Sequence, residues 1–353
     1  NGLVKRFSKI KGIGTVIMGI TIRDIAKKAG VSITTVSKII NKKDEDISDE
    51  TREKVIKIIN EYNYVPSALA TGLVTKKTNT IGLLVPDISN AFFAEVARGV
   101  EDGANGRGYN VILCNTDDDP DKEIQYLNVL KVKHVDGIVF LSAVLSNHSA
   151  IMQLNKAGFP VVVLDRTLDD ESIMAVYLDN FTGGYMAAKH LAEFGHKRIG
   201  CITGPLKNKP AKQRFCGYKK ALEEMHIEFD EDLVYEGNFK TSGGEWGAKK
   251  LLKAGATAIF ACNDMMACGA YKVIQEQGLR IPEDVSVVGF DDTFMSEILT
   301  PPLTSVKQPT YDMGIASAAM LIKRIKGEKL ENTKMEFKPV LSIRKSVGPP
   351  ASS

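Results

Sequence analysis

Two periodicities divide this 353-residue chain. Between Thr21 and Tyr62 apolar residues recur three and four positions apart, the spacing of helices that each bury one face. Ile22, Ile25, Ala26 and Ala29 make one such face, Val36, Ile39 and Ile40 a second, and Val55, Ile58 and Ile59 a third. Thr21 with Asp24 three positions on reads as a capping box, Gly30 as the stop of that helix, and Ser32 as the cap of the next. Ser48 opens a third helix that runs to about Tyr62. Ile33, Thr34, Ser37 and Lys38 face away from this small core. Two short helices joined by an Ala-Gly-Val-Ser turn form a helix-turn-helix, whose second helix fits the DNA major groove and presents its N-terminal side chains to base edges.

From Thr80 the pattern changes to short Val- and Ile-rich runs separated by helical stretches. Ile81–Val85, Asn110–Cys114, Gly137–Leu141 and Val161–Leu164 form one series; Arg198–Thr203, Ala258–Ala261 and Val285–Val288 form another. Such runs, apolar on both faces, predict parallel sheets covered by helices on each side. Between the two patterns lies Pro66-Ser67-Ala68-Leu69-Ala70-Thr71-Gly72-Leu73. Pro66 suits a first helical position, yet a helix this short is marginal in water because nucleation is costly. It reads as a joint that folds only when something holds it.

Charge sharpens this division. The net charge is +3, but residues 1–77 carry fifteen Lys and Arg against eight Asp and Glu, which is +7 and leaves −4 for the remainder. A basic head on a mildly acidic body is the footprint of a head that meets phosphate. Hydrophobic content of 44% and charged content of 25% are ordinary for a globular protein of several packed units. Cys114, Cys201, Cys216, Cys262 and Cys268 are scattered without CxxC spacing, so reduced thiols in a cytoplasmic protein are expected rather than a disulfide or zinc framework. No apolar run reaches membrane-spanning length. Residues 1–19 read as leader- or tag-like and disordered.

Residues 21–73 strongly resemble the DNA-binding head and hinge of the LacI/GalR family of bacterial repressors, through AGVSITTVSKIIN above all, and the resemblance continues to about Val347. It implies that Ile33, Thr34 and Lys38 read bases, and that Thr35, Ser37 and Asn41 contact or position phosphates. Thr21, Ser32 and Ala70 complete the expected DNA-facing set. Leu73 stands at the hinge leucine that wedges into the minor groove and kinks the operator. Thr71 and Val74 depart from basic residues usual there, and Gly72 weakens the helix further. The body resembles periplasmic binding proteins, which implies an α/β fold of two lobes with ligand between them and three chain crossings, near Asp179, Gln308 and Met335. The expected boundaries are 20–64 for the head, 65–78 for the hinge, 79–179 with 308–335 for one lobe, 180–307 with 336–347 for the other, and 348–353 for a tail.

Ligands of parallel sheets bind beyond the strands' carboxyl ends. Here those ends carry Asn90, Phe92, Phe93, Asp165, Arg166, Phe239, Asn263-Asp264, Asp291 and Gln308, with Arg214 nearby. Aromatics suit sugar ring faces; carboxylates, guanidinium groups and amides suit hydroxyls that both donate and accept. Singly, Asp165 reads equally as a helix cap, Arg214 as an ion-pair partner, and Phe92 or Phe93 as core. Together, Asn90, Phe92, Phe93, Asp165, Arg166, Arg214, Phe239, Asn263, Asp291 and Gln308 match ribose-binding proteins and ribose repressors, as does Gly204-Pro-Leu-Lys-Asn-Lys-Pro210. Asp179 stands where related purine-binding repressors touch ligand, and reads equally as a cap at the crossing.

The resemblance therefore implies a repressor that binds a palindromic double-stranded operator as a homodimer, joined through the first lobe, with D-ribose as effector and no cofactor, metal or membrane. Another sugar, a purine, or a phosphocarrier protein acting as corepressor remain alternatives. An enzyme is not expected: Asp165 and Asp291 have no nucleophile or water-activating group beside them, and neither a phosphate loop nor histidine ligand spacing occurs.

Overall fold

The computed structural model describes residues 20–64, 77–142, 148–168 and 170–351, which divide into a small N-terminal unit and a large body.

The small unit is three helices, α1 (Ile22–Ala29), α2 (Ile33–Ile40) and α3 (Asp49–Glu61). Local chemistry sets each boundary. The Thr21 and Asp24 side chains receive each other's backbone N–H, at 3.3 and 2.9 Å, so the capping box is complete. Gly30 ends α1 in the left-handed region at φ 70°, where a side chain would be strained. Ser32 and Ser48 each accept an N–H from three residues on, Thr35 and Thr51. Ile25, Ala26, Ala29, Val36, Ile39 and Val55 are buried between the helices, and Ile58 and Ile59 pack on that cluster.

The body holds two six-stranded sheets. The first contains β1 (Thr80–Val85), β2 (Asn110–Asn115), β3 (Gly137–Phe140), β4 (Val161–Leu164), β5 (Met174–Leu178) and, late in the chain, β11 (Lys334–Phe337), in the order β11-β5-β4-β3-β1-β2 and wholly parallel. The helices α4 (Ala91–Asn105), α5 (Pro120–Val132), α6 (His148–Lys156) and α12 (Thr310–Lys326) belong to it. Successive residues point to opposite faces, so Leu83, Val139 and Val162 enter one core while Leu84, Phe140 and Val163 enter another. The second sheet orders β6 (Ile199–Thr203), β7 (Val234–Glu236), β8 (Ala258–Ala261), β9 (Ser286–Asp291), β10 (Thr304–Lys307) and β12 (Val340–Ser342) as β12-β10-β9-β8-β6-β7, with only β12 antiparallel. Its helices are α7 (Asn180–Glu193), α8 (Lys209–Glu224), α9 (Thr241–Lys253), α10 (Asp264–Glu276) and the short α11 (Phe294–Ile298).

The chain crosses between sheets after Leu178, after Lys307 and after Phe337. The third crossing was expected near Met335, but Met335 pairs with Val176 inside β11, so the crossing falls at Lys338 and Pro339. The periodicity also left β5, β7, β10, β11 and β12 unmarked. Three of these five, β7, β11 and β12, are sheet edges, where half-exposed positions break the apolar run that marks a central strand. Strand β9 runs on to Asp291, beyond the expected Val288, and that extension carries Asp291 to the cleft.

Candidate functional site

The surface of the small unit opposite its core carries a polar depression lined by Ser32, Thr34, Thr35, Lys38, Asp46, Ser48 and Thr51. Ile33, the first residue of α2, is 45% exposed although it is apolar. The Thr35 hydroxyl lies 2.8 Å from that of Ser32. Asn41 ends α2 and donates to the Ser37 carbonyl at 2.8 Å. Lys38 Nζ is paired with Asp46 at 2.5 Å. Ala70 and Leu73 lie outside the described residues.

In the body, the carboxyl ends of both sheets open on a cavity of ≈ 310 Å³ between the lobes. Asp87, Asn90, Asp118, Asp165 and Arg166 follow strands of the first sheet; Asn208, Phe239 and Asn263 follow strands of the second, with Asp291 at the tip of β9 and Gln308 just past β10. All ten residues expected from the sequence line this cavity. Asp264 does not; it points into the second lobe, where Thr293 N (2.7 Å), Thr293 Oγ1 (3.0 Å) and Ser305 Oγ (2.7 Å) donate to it. The neighbouring position differs because Asn263 is the cap of α10 and Asp264 its first helical residue, rotated toward the sheet.

Arg214 is placed by a close approach of α8 to α7. A side chain at Gly184 would lie 2.0 Å from the Arg214 carbonyl, so only glycine admits this contact. The guanidinium then lies 3.7 Å above the Phe290 ring, donates Nε to Asn180 Oδ1 at 2.7 Å and Nη1 to the Cys262 carbonyl at 2.6 Å, and stands 3.7 Å from Asp291. Two of its five N–H groups are thus spent on positioning. Gln308 Nε2 donates to Asp291 Oδ1 at 2.7 Å. Asn263 receives the Met266 N–H and donates to the Phe239 carbonyl, which ties two strand ends together. Phe92 and Phe93 meet edge to face, 5.0 Å between centroids.

Burial governs the electrostatics. It pushes the Asp291 carboxyl well above the usual range, against Arg214, and raises Asp165 against Arg166 and Arg214. It lowers Arg166, which Asp165 opposes. Asp165 Oδ1, Arg166 Nε and Nη1, and Gln308 Oε1 are buried with no hydrogen-bond partner among the described residues. Asp118, Asp165, Phe239 and Asp291 all have positive φ, at 59°, 73°, 62° and 108°, so strained backbone gathers around the cavity.

Residues 78–342 match the family described as periplasmic binding proteins and sugar binding domain of LacI family, and residues 21–67 match bacterial regulatory proteins, lacI family. This chain belongs to the LacI family of bacterial transcriptional regulators. The ribose operon repressor of Halalkalibacterium halodurans is 41% identical over 92% of this chain and 96% of its own length. The purine repressor PurR of Aliivibrio salmonicida is 39% identical over 93% and 98%. Among solved structures, the lac repressor dimer bound to operator and an anti-inducer has a TM-score of 0.83, with 27% identity over 93% of this chain and 99% of that one. A LacI-family regulator from Enterococcus faecium with bound ribose has a TM-score of 0.70 and 36% identity over 76% and 99%.

The LacI-family regulator described here is therefore a DNA-binding repressor with a two-lobed ligand-binding body. Among its described residues no helix is long and apolar enough to cross a membrane. Several lining residues were not foreseen: Asp87, Asp118, Asn238 and Lys240 sit on loops whose inward course follows from no periodicity. Asn180, which holds Arg214, was missed as well; its place directly after the first crossing was the available signal. Asp179 caps α7 through Thr182 N at 3.0 Å and pairs with Lys338 at 3.0 Å, and it is absent from the cavity lining.

Proposed function

We propose that this repressor releases its operator when a small sugar, D-ribose, binds between the lobes. The observation that carries this reading is the meeting of two carboxylates, Asp165 with its buried Oδ1 and the buried Asp291, with two buried guanidinium groups, Arg166 and Arg214, and three phenylalanines in one cavity. Hydroxyls of a sugar donate to the first pair and accept from the second, and satisfy the unpartnered atoms of Asp165, Arg166 and Gln308. Phe92, Phe93 and Phe239 supply apolar faces for the ring. The ribose-bound relative supports the same chemistry.

The competing effector is a purine, favoured by the likeness to PurR. Asp179, the residue that would speak for a purine contact, is engaged as a helix cap and by Lys338 instead. On the DNA side, α2 enters the major groove with Ile33, Thr34 and Lys38 toward bases, and Leu73 wedges into the minor groove. Two copies act on a palindrome. The exposed apolar Phe294 and Ile298 on α11, Val340 in β12 and Ile343 just past it support a dimer contact on the second lobe as well as the first.

Sugar and operator are linked, so each weakens the other by the same factor. Calorimetry of the full chain with ribose, other pentoses, hypoxanthine and guanine tests the effector. Ribose binding together with loss of operator affinity is the expected result; binding of a purine alone, with tighter operator binding, overturns it.

A further inference from the structure

The loop between α2 and α3, Lys42-Lys43-Asp44-Glu45-Asp46-Ile47, places three acids beside a face that meets polyanionic DNA. Two of them have distinct engagements. Asp44 turns to α3, where Arg52 Nε reaches it at 2.6 Å. Asp46 turns to α2 and takes Lys38 Nζ at 2.5 Å through Oδ2. The Asp46 backbone is pinned on both sides, because Ile47 N donates to the Asp44 carbonyl at 3.0 Å and the Ile47 side chain packs on the small core. Asp46 borders the same depression as Thr34 and Lys38.

We propose that Asp46 is a specificity-determining residue of the DNA-reading face, presenting with Lys38 an acceptor and a donor that together select cytosine beside a guanine. Lys38 has three N–H donors, and its pairing with Asp46 uses one, leaving two for guanine O6 and N7. Asp46 has Oδ1 left. In the major groove the donors are the amines of cytosine and adenine, and acidic side chains accept from cytosine N4. An exposed carboxylate that found no such donor would only repel phosphate, whereas one held 2.5 Å from the lysine keeps a fixed place next to the base that lysine reads. The pairing with Lys38 also holds the Asp46 carboxyl below its ordinary value, so it stays ionised and acceptor-only near neutral pH.

This inference rests on the groove reading of α2 proposed above, and the experiment separates the two. Preferred sites are selected from randomised duplexes with the full chain, its Lys38→Ala variant, Asp46→Ala and Asp46→Asn, followed by titration on duplexes altered one base pair at a time. Thermal melts check that each variant is folded. Asp46→Ala is expected to lose discrimination for cytosine at one position of each half-site by about fivefold to a hundredfold, with other positions unchanged. Asp46→Asn is expected to turn that position toward adenine, which the amide recognises through N6 and N7. An Asp46→Ala protein that binds every duplex more tightly by one common factor overturns the inference, because the carboxylate would then act only on phosphates. If Lys38→Ala leaves all base preferences intact, the groove reading itself fails, and the inference with it.

Discussion

A single methyl group added at Gly204 tests whether Phe239 is a wall of the ligand cavity. Gly204 follows β6, and a carbon built on its backbone would lie 2.1, 2.4 and 2.5 Å from three atoms of the Phe239 ring. Ordinary contact begins about 1 Å farther out. The Gly204 backbone is not left-handed, so alanine brings no strain of its own there. Nor can the Phe239 main chain yield easily, since it holds φ at 62° and its carbonyl accepts from Asn263. The ring must therefore swing away from Gly204 and leave its place along the cavity. If the ligand thereby loses roughly 60 Å² of apolar contact, at about 25 cal/mol per Å² the loss is about 1.5 kcal/mol, or roughly tenfold in Kd. Calorimetry of Gly204→Ala with ribose measures it, with Phe239→Ala as the comparison and operator affinity without sugar as the control. Sugar affinity within twofold of the unaltered protein, with the fold intact, would refute the assignment of Phe239 to the ligand.

Three further outcomes are expected. Burial raises the Asp165 and Asp291 carboxyls in the free protein, and sugar hydroxyls that donate to them favour the ionised form; sugar affinity is thus full above their raised values and falls as pH drops through them, which calorimetry over a descending pH series would detect as weaker binding with proton release. Asp264 is pushed up to about 6 by burial, so its contribution to stability is present below the unfolded carboxylate value and is lost as pH rises through about 6; two units correspond to about 3 kcal/mol, and denaturant midpoints of Asp264→Asn should show a flatter pH profile than those of the parent, an unchanged slope counting against the argument. Leu73→Ala, outside the described residues, should weaken operator binding in gel-shift titrations while leaving ribose binding as it was, and unchanged DNA affinity would remove the wedge.

What the sequence by itself determined is what local chemistry decides. The caps at Thr21, Ser32 and Ser48 and the glycine stop at Gly30 act within four residues of their partners, so the three helices of the head and their inward faces were legible from spacing alone. The central strands were legible too, because a strand buried on both faces must be apolar throughout. The same rule pointed to the polar residues at their ends as the cleft, and brought Asn90, Asp165, Asn263 and Gln308 into one set before any coordinates. Tertiary structure decided the rest. Nothing in spacing separates Asn263, which faces the cavity, from Asp264, which turns into a buried hydroxyl cluster; a rotation within one helical turn does so. The third crossing moved past Met335 because β11 gains its hydrogen bonds from β5, some 160 residues earlier in the chain. Asn180, Gly184 and Gly204 act on Arg214 and Phe239 through contacts between elements, and the Lys38–Asp46 pair spans a loop whose path no periodicity describes. Such contacts depend on how elements approach one another, and that is set by the packing of whole faces rather than by any residue's neighbours in the chain.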